Sequence, residues 1–462
     1  MNTFHAIGWL VVVNFALYFR TLRFKFVSDD FTVWRNPPPI KNAWHKAWMR
    51  FIGAAKFLSR SVHFVRANGK FFVAITKTEE VEHLLALLIH TAICISIYFA
   101  FGASWISFVG AMLYATNPVN NQATIWPAGR GYALPILSLT MAMSIPFLAP
   151  FLLYFCSWFT IGFLAPLALI GSPDWALLGY MPFVWFLHSR KFKKAITLKS
   201  SMESFDHDKT MDFSKVVVFF KTYGFYLVLC LIPFRITFYH NMLQSMAGND
   251  IMRKKALSMD RYFWIGLAAW FGTLAFACTN WGPLAWGLLA FLVTIAPFCN
   301  VVRANQEIAE RFVALPNVFL MFALAHVITG IPGSSWLVPG FLAFYATRTF
   351  YTLIMYKDEY YITELAIIED PHAWWAWHCR AMKRWETQSY KEALILWVMA
   401  KMISPKEFKV LMNISTCLRL LKNDKEADEF LAMAEQNIVA GQEKEAHQFI
   451  AEHRKGKLPI LL

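Results

Sequence analysis

Residues 83–116 read HLLALLIHTAICISIYFAFGASWISFVGAMLYAT, without a single Lys, Arg, Asp or Glu. Two apolar runs, 83–101 and 104–116, lie within it, long enough to cross or nearly cross a lipid bilayer as helices. Working outward, runs of the same kind fall at 4–19, 133–148, 150–171, 175–188, 216–237, 262–279, 281–299, 315–333 and 336–356, eleven in all. The composition agrees: of 462 residues, 57% are hydrophobic, 17% aromatic and only 16% charged, with a mean hydropathy of +0.41. A soluble protein carries roughly a quarter charged residues, so the chain is not a soluble enzyme, a disordered polymer or a disulfide scaffold. The fold class expected is all-α, a polytopic helical membrane protein.

The charge balance fits that reading. Lys and Arg exceed Asp and Glu by 44 to 30, a net charge of +14, which loop anchors and anionic headgroups explain in a membrane protein. No nucleic-acid motif accompanies the excess, and no nucleic-acid partner is expected. The seven cysteines form no CxxC pair or metal spacing, and Cys94, Cys156, Cys230, Cys278 and Cys299 sit in apolar runs as small hydrophobes. Phe4–Phe19 has neither a basic n-region nor a cleavage site and is expected to stay as the first span.

Orientation follows from the basic segment Arg190, Lys191, Lys193, Lys194 and Lys199, which the positive-inside rule places in the cytoplasm. Parity then puts loops 20–82, 117–132, 172–174, 238–261 and 300–314, and the tail from 357, together on the opposite, extracytoplasmic side. Loop 20–82 holds twelve Lys and Arg, which by the same rule prefer the cytoplasm, but the rule weakens for loops of about 60 residues. Apolar spacing in Trp44–Phe64 suggests basic amphipathic helices on a membrane surface.

After residue 357 a period of 34 appears: Ala366, Ala400 and Ala434; Pro371 and Pro405; Lys391-Glu392-Ala393 and Lys425-Glu426-Ala427. With Trp377, Ala393, Ala400 and Pro405 in order, this is the tetratricopeptide pattern, and Ala381 and Ser415 supply further small positions. Helices near Thr363–Asp370 and Gln442–His453 are expected to complete a stack that two repeats cannot close alone. The domains expected are therefore 1–356, a transmembrane unit, and 357–462, an extracytoplasmic repeat unit.

Three loops carry chemistry. Asp29 and Asp30 follow the first span, either as a general base with its neighbour or as a solvated turn or cap. Loop 117–132 carries one charge, Arg130, between glycines at a helix start, where a guanidinium either grips a phosphate or snorkels to headgroups. Loop 300–312 gathers Arg303, Glu307, Glu310 and Arg311, which internal ion pairing alone would also explain.

Phe26–Pro37, His83–His90, Asn117–Leu134, Tyr226–Tyr239 and above all Ala296–Pro316 resemble, in order and spacing, the transmembrane and tetratricopeptide-repeat O-mannosyltransferase family. Members have a GT-C glycosyltransferase fold followed by luminal repeats, and the likeness covers nearly the whole chain. It implies transfer of a mannose-like sugar from a polyprenyl-phosphate donor to a protein Ser or Thr hydroxyl on the extracytoplasmic side. Asp29 or Asp30 would then be the base. Arg130 and Arg311 match donor-phosphate positions, with Arg303 and Tyr239 as further donor-side candidates. Asn117, Asn120, Gln122, Asp174, Glu307 and Glu310 are the candidates for contact with substrate.

The chain also departs from the family. Where members read His-Pro-x-His-x-Glu, it has Asn117-Pro118-Val119-Asn120-Asn121-Gln122; Tyr132 replaces an acid after Gly-Arg; and Ser172-Pro173-Asp174 lacks a lysine. Amides hydrogen-bond sugar hydroxyls but neither exchange protons nor ligate metals well. No cofactor is implied beyond the donor and no metal site is assigned, although adjacent carboxylates leave a divalent ion open. The implied partners are membrane lipid, the lipid-linked sugar, and a protein acceptor or a partner held by the repeats. The membrane is that of a bacterium or the endoplasmic reticulum. The competing reading is an inactive GT-C-like scaffold that recruits partners through its repeats.

Overall fold

The computed structural model describes residues 2–27, 63–67, 70–74, 78–156, 169, 213–238, 240, 257–299, 308–333, 336–369, 371–438, 443–457 and 460. The architecture is helical. It begins with α1 (Thr3–Tyr18), capped by the Asn2 side chain, which accepts from the Phe4 amide. A hairpin follows, β1 (His63–Ala67) antiparallel to β2 (Lys70–Ala74), with His63 opposite Ala74 and Ala67 opposite Lys70. His63 and Phe64, the end of the expected amphipathic segment, therefore lie on a strand; the rest of that segment lies outside the described residues.

The bundle continues as α2 (Glu79–Ala100), α3 (Trp105–Thr116), α4 (Asn121–Thr124), α5 (Arg130–Ser144), α6 (Ala149–Cys156), α7 (Phe213–Leu231), α8 (Arg261–Thr279), α9 (Pro283–Ile295), α10 (Ala314–Gly330) and α11 (Leu337–Thr352). Its ends are chemically marked. Glu79, Glu80 and Glu82 fill the first turn of α2, where the helix dipole favours anions, and Asp260 accepts the Tyr262 and Phe263 amides at the start of α8. Pro283 opens α9, at the one helical position where its missing N–H costs nothing.

Only three described helical segments, Thr3–Arg23, Glu79–Ala100 and Arg261–Thr279, are long and apolar enough to cross a membrane, against the eleven runs expected. The segments Trp105–Thr116, Pro146–Cys156, Pro283–Phe298 and Ala314–Gly330 are apolar but shorter. Length separates them: α3, α9 and α10 have 12, 13 and 17 residues, short of the roughly 20 a spanning helix needs, and packing distinguishes them further. Every residue of α3 from Ser107 to Thr116 is buried, as is most of α10, so their apolar side chains face other helices. By contrast α8 buries only Phe263, Gly266 and Ala277, and turns Trp264 and Phe271 outward. The run 175–188, the end of 150–171 and the basic segment 189–199 lie outside the described residues.

Small residues set the closest crossings. On α3, a Cβ at Gly110 would stand 3.3 Å from the Phe322 Cα of α10, and Phe101 stacks on Phe322 at 4.0 Å. Gly224 of α7 and Gly266 of α8 meet so closely that a Cβ on the first would overlap the Tyr262 carbonyl oxygen, and one on the second that of Phe220. Lys221, one turn before Gly224, reaches Asp260 at 2.8 Å and the Ser258 carbonyl at 3.3 Å, pinning the start of α8 to the same contact.

Beyond the bundle come α12 (Glu359–Glu369), α13 (Trp374–Glu386), α14 (Tyr390–Ile403), α15 (Phe408–Leu420), α16 (Asp424–Gln436) and α17 (Glu443–Arg454). The 34-residue period of the sequence is geometric here: α13 and α15 start at 374 and 408, α14 and α16 at 390 and 424. The turns repeat too. Gln388 and Lys422 both take positive φ, 60° and 61°, and beside them Ser389 N donates to Arg384 O as Asn423 N does to Leu418 O, each at 2.9 Å. The small positions Ala366, Ala381, Ala393, Ala400, Ser415, Ala427 and Ala434 are all fully buried, where helices approach. Ile362 of α12 belongs to the bundle core that begins at Ala6, and Trp375 of α13 packs against it, while α13 to α17 also build apolar clusters of their own.

Candidate functional site

The loop 117–132 becomes an inward-turned knot of short helical turns. Asn117 caps the first: its Oδ1 accepts the Val119 amide at 3.1 Å and its Nδ2 donates to the Cys230 carbonyl at 2.8 Å. Asn120 donates to Tyr114 O at 2.8 Å and accepts from Asn317 Nδ2 at 3.1 Å, while Asn121 donates to Thr352 Oγ1 at 3.1 Å. Gln122 uses both ends, with Nε2 donating to Phe238 O at 3.0 Å and Oε1 accepting the Arg311 amide at 2.9 Å. All four side chains are fully buried. The amides Asn117, Asn120 and Gln122, expected at a sugar, thus tie the loop to α7, α10 and the 308–313 turn, and Asn121 ties it to α11. Gly129 is required by space: a Cβ there would overlap the Gln122 carbonyl oxygen.

Arg130 opens α5, buried against the start of α2. Its Nη1 lies 2.7 Å from Glu82 Oε2 and its Nη2 donates to the Glu82 carbonyl at 2.9 Å. Two Glu82 oxygens therefore occupy the planar fork. Arg311 lies across the loop: its Nε donates to Tyr132 Oη at 3.2 Å, and its guanidinium carbon is within 6.0 Å of the Trp126, Tyr132 and Phe312 ring centres. Tyr132 is thus a hydroxyl partner for Arg311.

The segment leading to the paired aspartates joins the same network. Trp126 Nε1 donates to the Val27 carbonyl at 3.2 Å, and the Phe26 amide donates to Glu79 Oε1 at 3.0 Å. The Lys25 amide donates to the Lys357 carbonyl at 3.0 Å, which brings the entry to the C-terminal helices to the same end of the bundle. Asp29 and Asp30, with Asp174, Tyr239, Arg303 and Glu307, lie outside the described residues.

Glu310 faces the other flank of this end. Its Oε1 accepts the Thr237 amide at 2.7 Å and contacts His240 Nε2 at 3.1 Å, both groups fully or nearly fully buried. Burial holds the Glu310 carboxyl well above the usual carboxylate range despite the Thr237 bond. Burial, with Arg235 adding, pushes the His240 imidazole down to about 3. Both shifts run toward the uncharged forms, as expected for two titratable groups removed from water. Glu310 Oε2 and the buried Tyr356 hydroxyl meet no hydrogen-bond partner.

Sequence reasoning missed Glu82, Glu79 and His240. A usable signal exists for Glu82, an acid at the edge of an apolar run, which is expensive there unless paired. His240 carries no comparable local mark, because its partner is 70 residues away. Among the described residues no group of three or more His, Cys, Asp and Glu is placed to hold a metal ion. Compared with protein-family models, curated proteins and solved structures, the chain matches none.

Proposed function

We propose that the protein is an integral-membrane glycosyltransferase that moves a mannose-like sugar from a polyprenyl phosphate to a protein hydroxyl, with its site at the loop end of the bundle. One observation carries the reading. Arg311 bonds Gln122 and Tyr132 and stands beside Trp126, and Trp126 bonds Val27, two residues before Asp29 in sequence. A cationic turn, an aromatic wall and the entry to a carboxylate pair are what a lipid-phosphate leaving group and an acceptor hydroxyl require.

In this reading the acceptor oxygen bonds to the sugar C1 as the C1–O bond to the phosphate breaks. The hydroxyl proton passes to Asp29 or Asp30, and the released phosphate stays with Arg311. Glu82 already compensates Arg130, whose role is to hold the loop. The loops sharing this end lie on the extracytoplasmic face, and the C-terminal helices are tetratricopeptide repeats facing the acceptor. Their 34-residue spacing and buried small positions support that assignment.

The test is sugar transfer to a peptide by the full chain in nanodiscs, supplied with polyprenyl-phosphate mannose. Asp29→Asn or Asp30→Asn lowers the rate by roughly 10²–10⁴ at unchanged folding if one of them is the base. Transfer that survives both changes excludes the pair. A second reading, a non-catalytic scaffold, draws on the loop amides, whose bonds are spent inside the protein. Absence of transfer by the wild type with any polyprenyl-phosphate sugar would favour it.

A further inference from the structure

Three side chains of α14, Ile395, Val398 and Met402, share one face of the helix and are exposed, Ile395 and Met402 by 64% and 68%. One repeat earlier Ile368, 34 residues before Met402 and near the end of α12, is 63% exposed. One repeat later the positions equivalent to 395, 398 and 402 fall on α16 as Glu429, Ala432 and Gln436, all exposed. The repeat geometry therefore does not require large apolar residues on this face, since α16 completes the same repeat without them. A contiguous exposed apolar face of this kind marks a contact surface.

The apolar part of the stack is the part joined to the bundle. Lys357, just before α12, accepts the Lys25 amide at 3.0 Å, and Lys25 lies just beyond the candidate span Thr3–Arg23. The start of the repeats is thus fixed at the level where that span ends. At the same join Phe19, Phe350, Tyr351 and Tyr360 are exposed as well. Charge changes in the same direction: α13 and α14 hold five Lys and Arg against two Glu, whereas α16 and α17 hold three against eight Asp and Glu. Two of the acids on α12 face cations of the protein itself, Glu364 paired with Arg380, and Glu369 near Arg348 and Arg235.

We propose that the exposed face of α12 and α14, carrying Ile368, Ile395, Val398 and Met402, rests in the interfacial layer of the bilayer that the bundle crosses, with lipid as its partner. The apolar side chains enter the acyl boundary, while Lys391, exposed one turn before Ile395, stays with the headgroups. The basic excess of α13 and α14 favours an anionic headgroup layer, and the acidic α16 and α17 lie beyond it. A second copy or a soluble partner gives no reason for the patch to fade with distance from the bundle. A bilayer does, because a repeat stack that leaves the membrane loses contact with it helix by helix. The inference rests on the bundle crossing a bilayer and is independent of sugar transfer.

The experiment places the photo-crosslinker p-benzoylphenylalanine at position 395, 398, 402 or 436 of the full chain in nanodiscs of phosphatidylcholine and phosphatidylglycerol. Mass spectrometry after irradiation identifies what each position captures. Positions 395, 398 and 402 should capture lipid about tenfold more than position 436. Ile395→Glu with Met402→Glu, changes confined to exposed positions, should lower lipid capture from position 398 about tenfold at an unchanged melting temperature. Capture of another segment of this chain, or of a second copy, in place of lipid overturns the proposal. So does lipid capture at position 436 equal to that at 402, or capture from position 398 that the two glutamates leave unchanged.

Discussion

Arg130 Nη1 and Glu82 Oε2 stand 2.7 Å apart with both side chains excluded from water, joining the start of α5 to the start of α2. Removing one partner leaves the other as a buried, uncompensated charge. Glu82→Gln should therefore cost about 3–5 kcal/mol, while the double change Glu82→Leu with Arg130→Met should cost less than the sum of the single changes. Denaturant titration of Glu82→Gln, Glu82→Leu, Arg130→Met and the double variant in detergent checks this, and additive losses in the cycle would show that the two groups do not act as a pair.

Arg311 is the guanidinium proposed to hold the donor phosphate. Arg311→Lys should weaken donor binding roughly tenfold, because an ammonium cannot reproduce two parallel N–H contacts, and Arg130→Lys should act mainly on stability. Titration with a polyprenyl phosphate, with melting temperature as a parallel readout, separates the two effects. Unchanged donor affinity in Arg311→Lys would remove it from the site.

His240 supplies a pH dependence. Its pKa falls from 6.5 unfolded to about 3 folded, so the native state prefers the neutral ring. Its contribution is complete above about pH 6.5 and is lost as pH falls toward 3, by up to about 1.4 kcal/mol per pH unit. Glu310, raised instead, contributes below its ordinary value of 4.5 and loses that contribution as pH rises through its folded pKa. His240→Gln keeps a donor toward Glu310 but should flatten the acid limb of stability against pH. Parallel curves for wild type and variant would mean that the imidazole binds no extra proton on unfolding.

Gly224 and Gly266 let α7 and α8 touch through their backbones. Ala at either place forces the helices apart, and a loss of at least about 2 kcal/mol is expected, with Gly272→Ala on the open face of α8 as the neutral control. Melting temperatures of the three variants decide it.

Gln388 and Lys422 hold the left-handed conformation that ends α13 and α15. Glycine adopts it without strain, so Gln388→Gly and Lys422→Gly should each stabilise the C-terminal helices by about 0.5–1 kcal/mol. Hydrogen exchange at α13 and α15 is the local measurement, and faster exchange in the variants would contradict the repeat geometry.

The sequence by itself determined where the helices lie. Apolar runs at 4–19, 83–101, 262–279 and 315–333 correspond to α1, α2, α8 and α10, because helix formation follows from local hydrophobicity and from caps such as Asn2 and Asp260. It also determined the repeat, since a helix pair stacked at a fixed spacing needs small residues at that spacing, as at Ala393 and Ala427. Only the tertiary structure decided which apolar helices face outward. Ala314–Gly330 and Arg261–Thr279 are both rich in Leu, Ala and Phe, yet one is buried among its neighbours and the other mostly exposed. The same holds for the site. Arg130 stands out in the sequence as an isolated cation and Arg311 as one of a charged cluster, but their partners Glu82 and Tyr132, like the pairing of His240 with Glu310, are set by segments that meet far along the chain. Hydropathy is a property of each residue, whereas the partner of a buried charge is a property of the packing.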